Sequence, residues 1–516
     1  MTTEFFEKYR HKILTVEEIQ EKVGAFPRAK KAIMCHGVFD VVHPGHVRHL
    51  AYAKSKADML IASITSDRHI NKGAYRPHVP EQLRALNLAA FEMVDYVLID
   101  KNAKPLDNVR AIKPDFFAKG FEYTSSGLPK ATQEETDIVE AYGGAMIFTP
   151  GDVVYSSTNL INLELPKIEM EKLLMLMQEY DITFDNLRTT LMNLKGRRVH
   201  VVGDTIVDSY TRSTLIGGQT KTPTFSVLYQ GCDNYIGGAG IVAQHLRAAG
   251  AEVVFSTVLG DDALKDFVLE GLKESGIESK AIIDKTRPTV NKNAIIAGGY
   301  RLLKIDTLDN RSISDHIVEE LVEAISSTPT DAVVFSDFRH GMFNRMTVSE
   351  LTKAIPDDTY RVADSQVASR WGNIIDFQEF DLITPNEREA RFALADQDST
   401  VGRLGGKLLE ETKGKLLMMK LGARGVFVLE CLDEDGNDNF FSIDSFANNV
   451  VDAVGAGDAL LAYSTLSMMT SNSPLISAIL GSMAAACECE FDGNIPIKPE
   501  DVLQKIDAVE KMANYQ

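Results

Sequence analysis

Two histidines, His43 and His46, stand in a stretch whose spacing suits phosphate chemistry. The stretch covers residues 36–46 and runs His-Gly-Val-Phe-Asp-Val-Val-His-Pro-Gly-His. Apolar residues before it and apolar residues at helical spacing after it predict a strand, a glycine-bearing loop and a helix start. Histidines at a helix N-terminus can donate to the phosphoryl oxygens of a nucleoside triphosphate while pyrophosphate leaves. Gly37 and Phe39 are predicted to contact the same nucleotide. The alternative is a loop with two satisfied histidines.

A second group of residues has the layout of a phosphoryl-transfer site. The sequence Gly455-Ala456-Gly457-Asp458 enters an apolar helix. Small residues let backbone N–H groups approach an anion closely, and the helix N-terminus adds its dipole. Asp458 then stands where it can take a proton from an attacking hydroxyl. The alternative is a glycine-rich turn without chemistry.

The composition is that of a globular protein and argues against several functional classes. The chain has 516 residues, of which 44% are hydrophobic, and its net charge is −19. This charge argues against general binding to nucleic acid, and no apolar run is long enough to cross a membrane. The N-terminal residues 1–10 are polar rather than signal-like. The five cysteines lack the paired spacing of a zinc site, which predicts reduced cysteines in a cytoplasmic protein.

The first half of the chain alternates predicted strands with predicted helices. Thr15 and Glu18 have the spacing of a capping box at the start of a helix, and residues 81–92 are helix-like. The apolar β-prone runs are residues 32–34, 59–65, 96–99, 116–118 and 146–148. This alternation predicts a parallel sheet with helices on both faces, in which ligands bind beyond the carboxyl ends of the strands.

Further candidate site residues follow these strands. They are Ser66, then Lys72 and Arg76 in a basic loop, then Lys119 and Gly120, and finally Ser156, Ser157 and Thr158. With residues 36–46 they resemble the nucleotidyltransferase superfamily, in particular its cytidylyltransferase-like members. The resemblance implies that Lys119 and the Ser/Thr cluster contact nucleotide phosphates. Lys72 and Arg76 either add positive charge at the reacting phosphate or are ordinary surface cations.

The pattern changes in the middle of the chain and predicts the domain organisation. Residues 161–195 carry apolar side chains at helical spacing, which predicts a helical linker. Residues 1–160 before it form the predicted nucleotidyltransferase domain, with a Rossmann-like α/β fold. Residues 196–516 form a second predicted α/β domain. Within this domain residues 222–229 are predicted to form a strand of a lid.

The second half resembles the PfkB/ribokinase family of carbohydrate kinases. The resemblance implies a ribokinase-like α/β fold with a small β-lid, and it implies ATP and Mg²⁺ as cofactors. On the ATP side the matching residues are Asn386, Lys420, Gly422 and Gly425, with Gly455, Ala456 and Gly457 as the anion hole, Asp458 as the base and Glu389 as a Mg²⁺ ligand. On the sugar side they are Asp204, Gly237, Gly238 and Asp337.

Two features of the second half concern the acceptor. Ile241 stands where many members of the family carry an asparagine. Because isoleucine cannot hydrogen-bond a substrate, either the acceptor differs or another side chain serves. Lys292 and Lys304, with Arg301 and Arg339, are candidates for binding a second phosphate on the acceptor. The alternative is that these four are ordinary surface charges.

The two halves together resemble the bifunctional heptose kinase/adenylyltransferases of bacterial lipopolysaccharide precursor synthesis, with the domain order reversed. The resemblance implies a kinase that acts on a sugar or sugar phosphate, such as heptose 7-phosphate at O1. It also implies a transferase that makes a nucleotide sugar, such as ADP-heptose. His36 replaces the asparagine expected in heptose enzymes, so the sugar stays open.

Two alternatives for function stay open. One is a CTP-dependent polyol- or glycerol-phosphate cytidylyltransferase fused to a sugar kinase. The other is a nucleotide-binding regulator. The expected partners are small-molecule sugar phosphates and nucleotides, without nucleic acid or membrane. A homodimer through the kinase lid is also expected.

Overall fold

The computed structural model describes residues 7–42, 44–70, 77–120, 130–149, 169–216, 225–366, 374–431, 438–447, 450–491 and 493–514. The chain forms two compact units: the first comprises Met1–Glu171 with Asp398–Thr400, and the second comprises Lys172–Gln397 with Val401–Gln516. Both units combine strands and helices, which confirms the predicted α/β class. Among the described residues no helix has the length and apolar character needed to span a bilayer.

The first unit contains a parallel sheet of five described strands in the order β3-β2-β1-β4-β5. The strands are β1 (Ala32–Gly37), β2 (Met59–Thr65), β3 (Tyr96–Asp100), β4 (Phe116–Gly120) and β5 (Ala145–Thr149). Side chains alternate between the two faces: Ile33 and Cys35 join one hydrophobic cluster, and Ala32 and Met34 join another. Helices therefore cover both faces, as the parallel pairing requires.

Five helices of the first unit have described bounds. They are α1 (Val16–Val23), α2 (Pro44–Lys54), α3 (Glu81–Ala89), α4 (Leu106–Ile112) and α5 (Lys130–Ala141). The capping box before α1 is confirmed, because Thr15 Oγ1 accepts from the Glu18 backbone N–H and Glu18 Oε2 accepts from the Thr15 backbone N–H. Helix α3 ends at Ala89 rather than at the predicted residue 92.

The second unit contains a sheet of nine described strands in the order β10-β9-β6-β13-β14-β15-β16-β17-β18. The strands are β6 (Arg198–Gly203), β9 (Glu252–Leu259), β10 (Glu278–Ile283), β13 (Ala332–Asp337), β14 (Tyr360–Ser365), β15 (Leu382–Ile383), β16 (Leu416–Lys420), β17 (Val426–Cys431) and β18 (Asp438–Ile443). The strands from β10 to β16 pair in parallel, whereas β17 and β18 are antiparallel. The carboxyl ends of the parallel strands therefore meet at one edge.

A separate four-stranded sheet, here called the β-lid, has the order β12-β11-β7-β8. Its strands are β7 (Thr205–Leu215), β8 (Val227–Gly238), β11 (Asn291–Ala297) and β12 (Tyr300–Thr307). The β-lid is larger than predicted, because the strands β11 and β12 were not predicted from the sequence. Their polar positions, such as Lys292 and Asp306, interrupt the apolar pattern that marks a strand.

The helices of the second unit begin within the stretch predicted as a linker. They are α6 (Glu169–Glu179), α7 (Phe184–Met192), α8 (Ala239–Ala248), α9 (Ala263–Glu274), α10 (Asp315–Ser326), α11 (Arg345–Lys353), α12 (Glu387–Leu394), α13 (Val401–Thr412), α14 (Ala456–Ser471), α15 (Pro474–Glu488) and α16 (Pro499–Asn514). Arg188 on α7 donates to Asp507 on α16 at 2.7 Å. The helix α7 therefore packs as part of the second unit.

Candidate active sites

A cavity of about 880 Å³ lies in the second unit, and most of the residues predicted for the kinase line it. Its wall combines the β-lid, the carboxyl end of the large sheet and the N-terminus of α14. The predicted residues that line it are Gly238, Lys292, Lys304, Asn386, Lys420, Gly422, Gly425, Gly455, Ala456, Gly457 and Asp458. Residues from distant parts of the sequence are thus assembled around one cavity.

The turn before α14 has the backbone geometry of an anion site. Gly455 caps the helix with φ +86°, a left-handed conformation that glycine adopts without strain. A side chain here would also meet Glu488, because a Cβ at residue 455 would lie 2.8 Å from Glu488 Oε1. Gly455, Ala456 and Gly457 all line the cavity, so α14 begins at its wall, where the helix dipole favours negative charge.

Asp458 is a buried carboxyl group at this helix start. It is 7% exposed, and its Oδ1 has no hydrogen-bond partner among the described residues. Burial raises the pKa of Asp458 to about 8; repulsion by Asp364 adds to the rise, and Lys420 partly opposes it. A carboxylate with this pKa is a strong enough base to accept a proton near neutral pH.

Lys420 provides the positive charge beside the turn. Its Nζ donates to Asp364 Oδ1 at 2.8 Å, and a Cβ at Gly457 would lie 3.4 Å from the same Nζ. Burial alone would lower the pKa of Lys420, but the carboxylates of Asp364, Glu389 and Asp458 outweigh burial and raise it. The ammonium group therefore stays charged next to the anion site.

Asn386 and Glu389 form the N-terminal cap of α12. Asn386 Oδ1 accepts from the Glu389 backbone N–H at 2.9 Å, and Glu389 Oε2 accepts from the Asn386 backbone N–H at 2.6 Å. Asn386 lines the cavity, whereas Glu389 is 3% exposed and does not. Glu389 therefore caps the helix, and it influences the site through its negative charge, which raises the pKa of Lys420.

The β-lid contributes a carboxylate and three cations to the opposite wall. Asp208, Lys292, Arg301 and Lys304 all line the cavity. Asp208 Oδ2 accepts from Asn494 Nδ2 at 2.9 Å, and burial raises the pKa of Asp208. Burial lowers the pKa of Lys292, and the charge of Lys304 lowers it further. Two ammonium groups this close favour an anionic ligand between them.

Two residues predicted for the sugar, Asp204 and Asp337, do not line the cavity. Asp204 Oδ2 accepts from the backbone N–H groups of Phe338 and His340, and Asp337 accepts from Ser365 Oγ at 2.8 Å. These buried carboxylates hold the loop after β13 and have no surface toward the cavity. Asp208, four residues further along the chain, lines the cavity instead.

Sequence periodicity contained a signal for Asp208. Ile206, Asp208 and Tyr210 alternate along β7 and all line the cavity. Gly237 pairs across from this strand, and a Cβ there would overlap Asp208 Oδ2 at 2.1 Å. Gly237 thus makes room for Asp208 instead of lining the cavity itself.

Two further residues singled out for the acceptor also lie outside the cavity lining. Arg339 pairs with Asp337, and Ile241 is fully buried. The isoleucine therefore packs in the core of the unit, and its effect on acceptor choice stays a prediction.

In the first unit, His46 lies in the first turn of α2, as predicted. Its ring centroid is 5.1 Å from that of Phe39, whose φ is +50°. A Cβ at Gly37 would lie 3.2 Å from the Phe39 ring, so the glycine leaves space for that ring. Ser66 directly follows β2 and is buried. These residues gather at the carboxyl end of the sheet.

Two titratable groups lie at the ends of β1 and β4. His36 forms hydrogen bonds with Ser63 Oγ at 2.9 Å and with Thr65 Oγ1 at 3.2 Å. Burial lowers the pKa of His36 to about 4, and the charge of Lys119 contributes, so the imidazole is neutral at pH 7. Lys119, followed by Gly120 at the end of β4, is paired with Glu135.

The remaining residues predicted for the transferase lie outside the described residues. They are His43, Lys72, Arg76, Ser156, Ser157 and Thr158. Their roles stay predictions from the sequence.

Comparison with known proteins matches two segments of the chain to two different families. A cytidylyltransferase-like family matches residues 34–163, and the pfkB family carbohydrate kinases match residues 197–500. The transferase-like segment thus precedes the kinase-like one.

Similar curated proteins carry the name bifunctional protein HldE. The one from Pelobacter propionicus is 37% identical over 136 residues, 26% of this chain and 27% of that protein. The one from Desulfatibacillum aliphaticivorans is 28% identical over 298 residues, 56% of this chain and 58% of that protein. Each match covers less than two thirds of the relative.

Among solved structures, phosphofructokinase-2 from Escherichia coli in complex with potassium shares the fold of the second unit. The TM-score is 0.50 at 15% identity, over 61% of this chain and 100% of that chain. The ribokinase-like expectation for the second unit is confirmed at the level of fold. With the family match over residues 197–500, the chain belongs to the pfkB family of carbohydrate kinases.

Proposed function

We propose that the chain is a bifunctional enzyme of nucleotide-activated sugar synthesis. The second unit phosphorylates a sugar or sugar phosphate with ATP. The first unit couples a sugar 1-phosphate to a nucleoside triphosphate and releases pyrophosphate. The observation that carries the kinase part of the proposal is Asp458, a buried base at a helix N-terminus, in a cavity that also presents Lys420 and the cations of the β-lid.

The kinase step follows from the placement of Asp458. The acceptor hydroxyl attacks the γ-phosphorus, the bond to the bridging oxygen breaks, ADP leaves, and Asp458 takes the hydroxyl proton. The N–H groups at the start of α14 and the Lys420 ammonium stabilise the charge on the transferred group. Asp208 on the facing β-lid is placed to accept hydrogen bonds from sugar hydroxyls.

The donor set suits Mg²⁺ carried in with ATP. Mg²⁺ in such sites takes one or two carboxylates and completes its shell with phosphate oxygens and water. Asp364 Oδ2 is buried without a hydrogen-bond partner among the described residues, and Glu389 lies close enough to influence Lys420. Asp364 is therefore the residue best placed to hold it, and Glu389 would join only by giving up the capping bonds that both of its carboxylate oxygens accept from Asn386. When bound, Mg²⁺ neutralises charge on the phosphate oxygens.

The cations of the β-lid favour an acceptor that already carries a phosphate. Lys292 and Lys304 face the cavity together with Arg301, although Arg301 is also paired with Asp452. Heptose 7-phosphate phosphorylated at O1 is the specific acceptor that we propose, and ADP-heptose is the corresponding product of the first unit.

The transferase step needs positioning rather than a base. The oxygen of a sugar 1-phosphate is ionised at neutral pH, so it attacks the α-phosphorus directly while pyrophosphate departs. His46 at the start of α2 donates to the developing charge, and Lys119 supports it. His43, Lys72, Arg76 and the cluster at residues 156–158 complete our proposal for this site.

A CTP-dependent transferase acting on a polyol or glycerol phosphate is the second candidate. The cytidylyltransferase-like match over residues 34–163 favours it, as does His36 in place of asparagine. The kinase proposal for the second unit does not depend on this choice.

A nucleotide-by-sugar activity screen tests the proposal. The full chain is offered ATP, CTP, GTP and UTP with a panel of sugars, sugar phosphates and sugar 1-phosphates, and ADP and pyrophosphate are measured separately. We expect ADP with a sugar phosphate and pyrophosphate with a sugar 1-phosphate. Pyrophosphate with CTP and a polyol phosphate alone would favour the second candidate. Tight ATP binding without any ADP would indicate a regulator.

The β-lid also offers a surface for a second copy of the chain. Its exposed apolar side chains include Leu215, Leu228, Tyr229, Tyr300, Leu303 and Ile305. We propose a homodimer through this sheet, which light scattering of the purified chain would test.

A further inference from the structure

Arg84, on α3 of the first unit, is a fully buried arginine whose guanidinium is used at every nitrogen. Nε donates to the carbonyl of Val79 at 2.9 Å, Nη1 to the carbonyl of Val38 at 2.5 Å, and Nη2 to the carbonyl of Thr65 at 2.9 Å. Nη2 also pairs with Asp67. A buried charge with this many partners is costly to remove, because each partner would be left unsatisfied.

The acceptors of Arg84 belong to separate segments at the carboxyl end of the sheet. Val38 lies in the turn after β1, next to Phe39. Thr65 ends β2 and directly precedes Ser66, and Val79 lies just before α3. One planar group thus joins the turn that leads to His46 with the segment that carries Ser66.

A second set of hydrogen bonds joins the same segments of the chain. Asp40, inside the turn after β1, accepts through Oδ1 from the backbone N–H groups of His78 and Val79 at 2.8 and 3.0 Å. Asp67 and Glu81 exchange reciprocal bonds between side chain and backbone. The turn after β1 and the start of α3 are therefore connected through Arg84 and also directly.

We propose that Arg84 is a positioning residue for nucleotidyl transfer. It fixes the turn after β1, and with it Phe39 and His46, relative to Ser66. This inference rests on the function proposed for the first unit. Displacement of a catalytic group by about 1 Å can cost about 100-fold in rate. Lysine cannot replace Arg84, because a single ammonium group cannot reach the separate backbone carbonyls that the planar guanidinium group contacts at the same time.

The chain offers a matched control in Arg28. Arg28 is also buried, donates through Nη2 to the carbonyls of Ile112 and Lys113, and pairs with Asp115. These partners precede β4, so Arg28 lies at the amino end of the sheet, away from the predicted site. Arg28→Lys should destabilise the unit in a similar way without displacing His46.

The test compares Arg84→Lys with Arg28→Lys in the full chain. Pyrophosphate release, ADP release and thermal unfolding are measured on each protein. We expect Arg84→Lys to lower kcat for pyrophosphate release about 100-fold, while KM for the nucleotide changes less than fivefold. Arg28→Lys should stay within threefold of the starting kcat at a comparable loss of Tm. ADP release by the second unit should be unchanged in both, which confines the effect to the first unit, and the thermal unfolding transition shows whether the first unit is folded.

A double variant separates positioning from general stabilisation. In the His46→Ala background, Arg84→Lys should cost less than fivefold, because the group that it positions is gone. Equal losses for Arg84→Lys and Arg28→Lys, or a full 100-fold loss without His46, would overturn the proposal while leaving the transferase function intact. If the unaltered chain releases no pyrophosphate with any nucleotide, the proposed function of the first unit fails, and the role of Arg84 fails with it.

Discussion

The candidate sites of the two units share a plan but differ in their titratable groups. Each lies at the carboxyl end of a parallel sheet next to a helix N-terminus. Each has a lysine paired with a buried carboxyl group, Lys119 with Glu135 and Lys420 with Asp364. In the second unit burial raises the pKa of Asp458 to about 8. In the first unit burial lowers the pKa of His36 to about 4.

This difference matches the two nucleophiles that we propose. A sugar hydroxyl holds its proton at neutral pH, so its attack needs a base with a pKa near the working pH. A sugar phosphate has already lost its proton, and a base would add nothing. Under this proposal the second site requires Asp458, whereas the first requires only donors and positive charge.

Asp458→Asn should separate the two activities most strongly. Without a proton acceptor, kcat for ADP release should fall about 1,000-fold, within the usual range for general bases. Pyrophosphate release should be unchanged, since its nucleophile needs no base. Steady-state assays of both products on one protein preparation measure this. Loss of both activities with an intact fold would contradict the two-site proposal.

His46→Ala should have the opposite selectivity. Removing a donor to the leaving pyrophosphate should lower kcat for pyrophosphate release about 100-fold, as the loss of a transition-state donor does elsewhere. ADP release should be unaffected and serves as the internal control. If the variant retains full transferase activity, the charge on the leaving group is stabilised by other residues.

The pH profiles should differ between the two reactions. The base must be ionised, so ADP release should rise with pH and level off above about 8, falling about tenfold per unit below that value. Pyrophosphate release should lack this step, because His36 stays neutral throughout the range. Initial rates from pH 6 to 9 at saturating substrate measure both curves. A flat profile for ADP release would remove Asp458 as the titrating base.

The raised pKa of Asp458 also predicts that the stability of the folded protein depends on pH. The folded protein keeps the Asp458 proton between pH 4 and pH 8, where the unfolded chain has released it, so the free energy of unfolding falls as pH rises through this window. Asp458→Asn lacks this dependence. At pH 8.5, where the starting protein carries the buried charge and the variant does not, the variant should unfold several degrees above the starting protein. At pH 5 the difference in unfolding temperature should be smaller. Calorimetry of both proteins at pH 5 and pH 8.5 measures it.

Local sequence features were enough to predict the elements that place the two sites. The strand Met59–Thr65, the capping box at Thr15 and the glycine turn before α14 each depend on neighbouring residues, and the structure contains all of them. The α/β class and the parallel pairing followed from the alternation of elements.

Contacts between distant residues could not be predicted in this way. Asp364 meets Lys420 from a position 56 residues earlier, and Arg84 reaches Val38 across 46 residues. Asp208 was not predicted as a site residue, although Ile206, Asp208 and Tyr210 alternate along β7. The other strands of the β-lid are polar, so the sequence did not show which face of this sheet lines the cavity. Asp204 and Asp337 are buried and hydrogen-bonded within the unit, and no pattern in the sequence indicated that they lie outside the cavity lining.

The pairing of Lys420 with Asp364 has a consequence for selectivity among anions. The ammonium group has its own counter-ion at 2.8 Å, so it is not an exposed positive charge open to any anion. A simple phosphate or sulfate ion would have to compete with a carboxylate that is already in place. A nucleotide with its metal can satisfy both members of the pair at once, and we expect the site to discriminate against small inorganic anions for this reason.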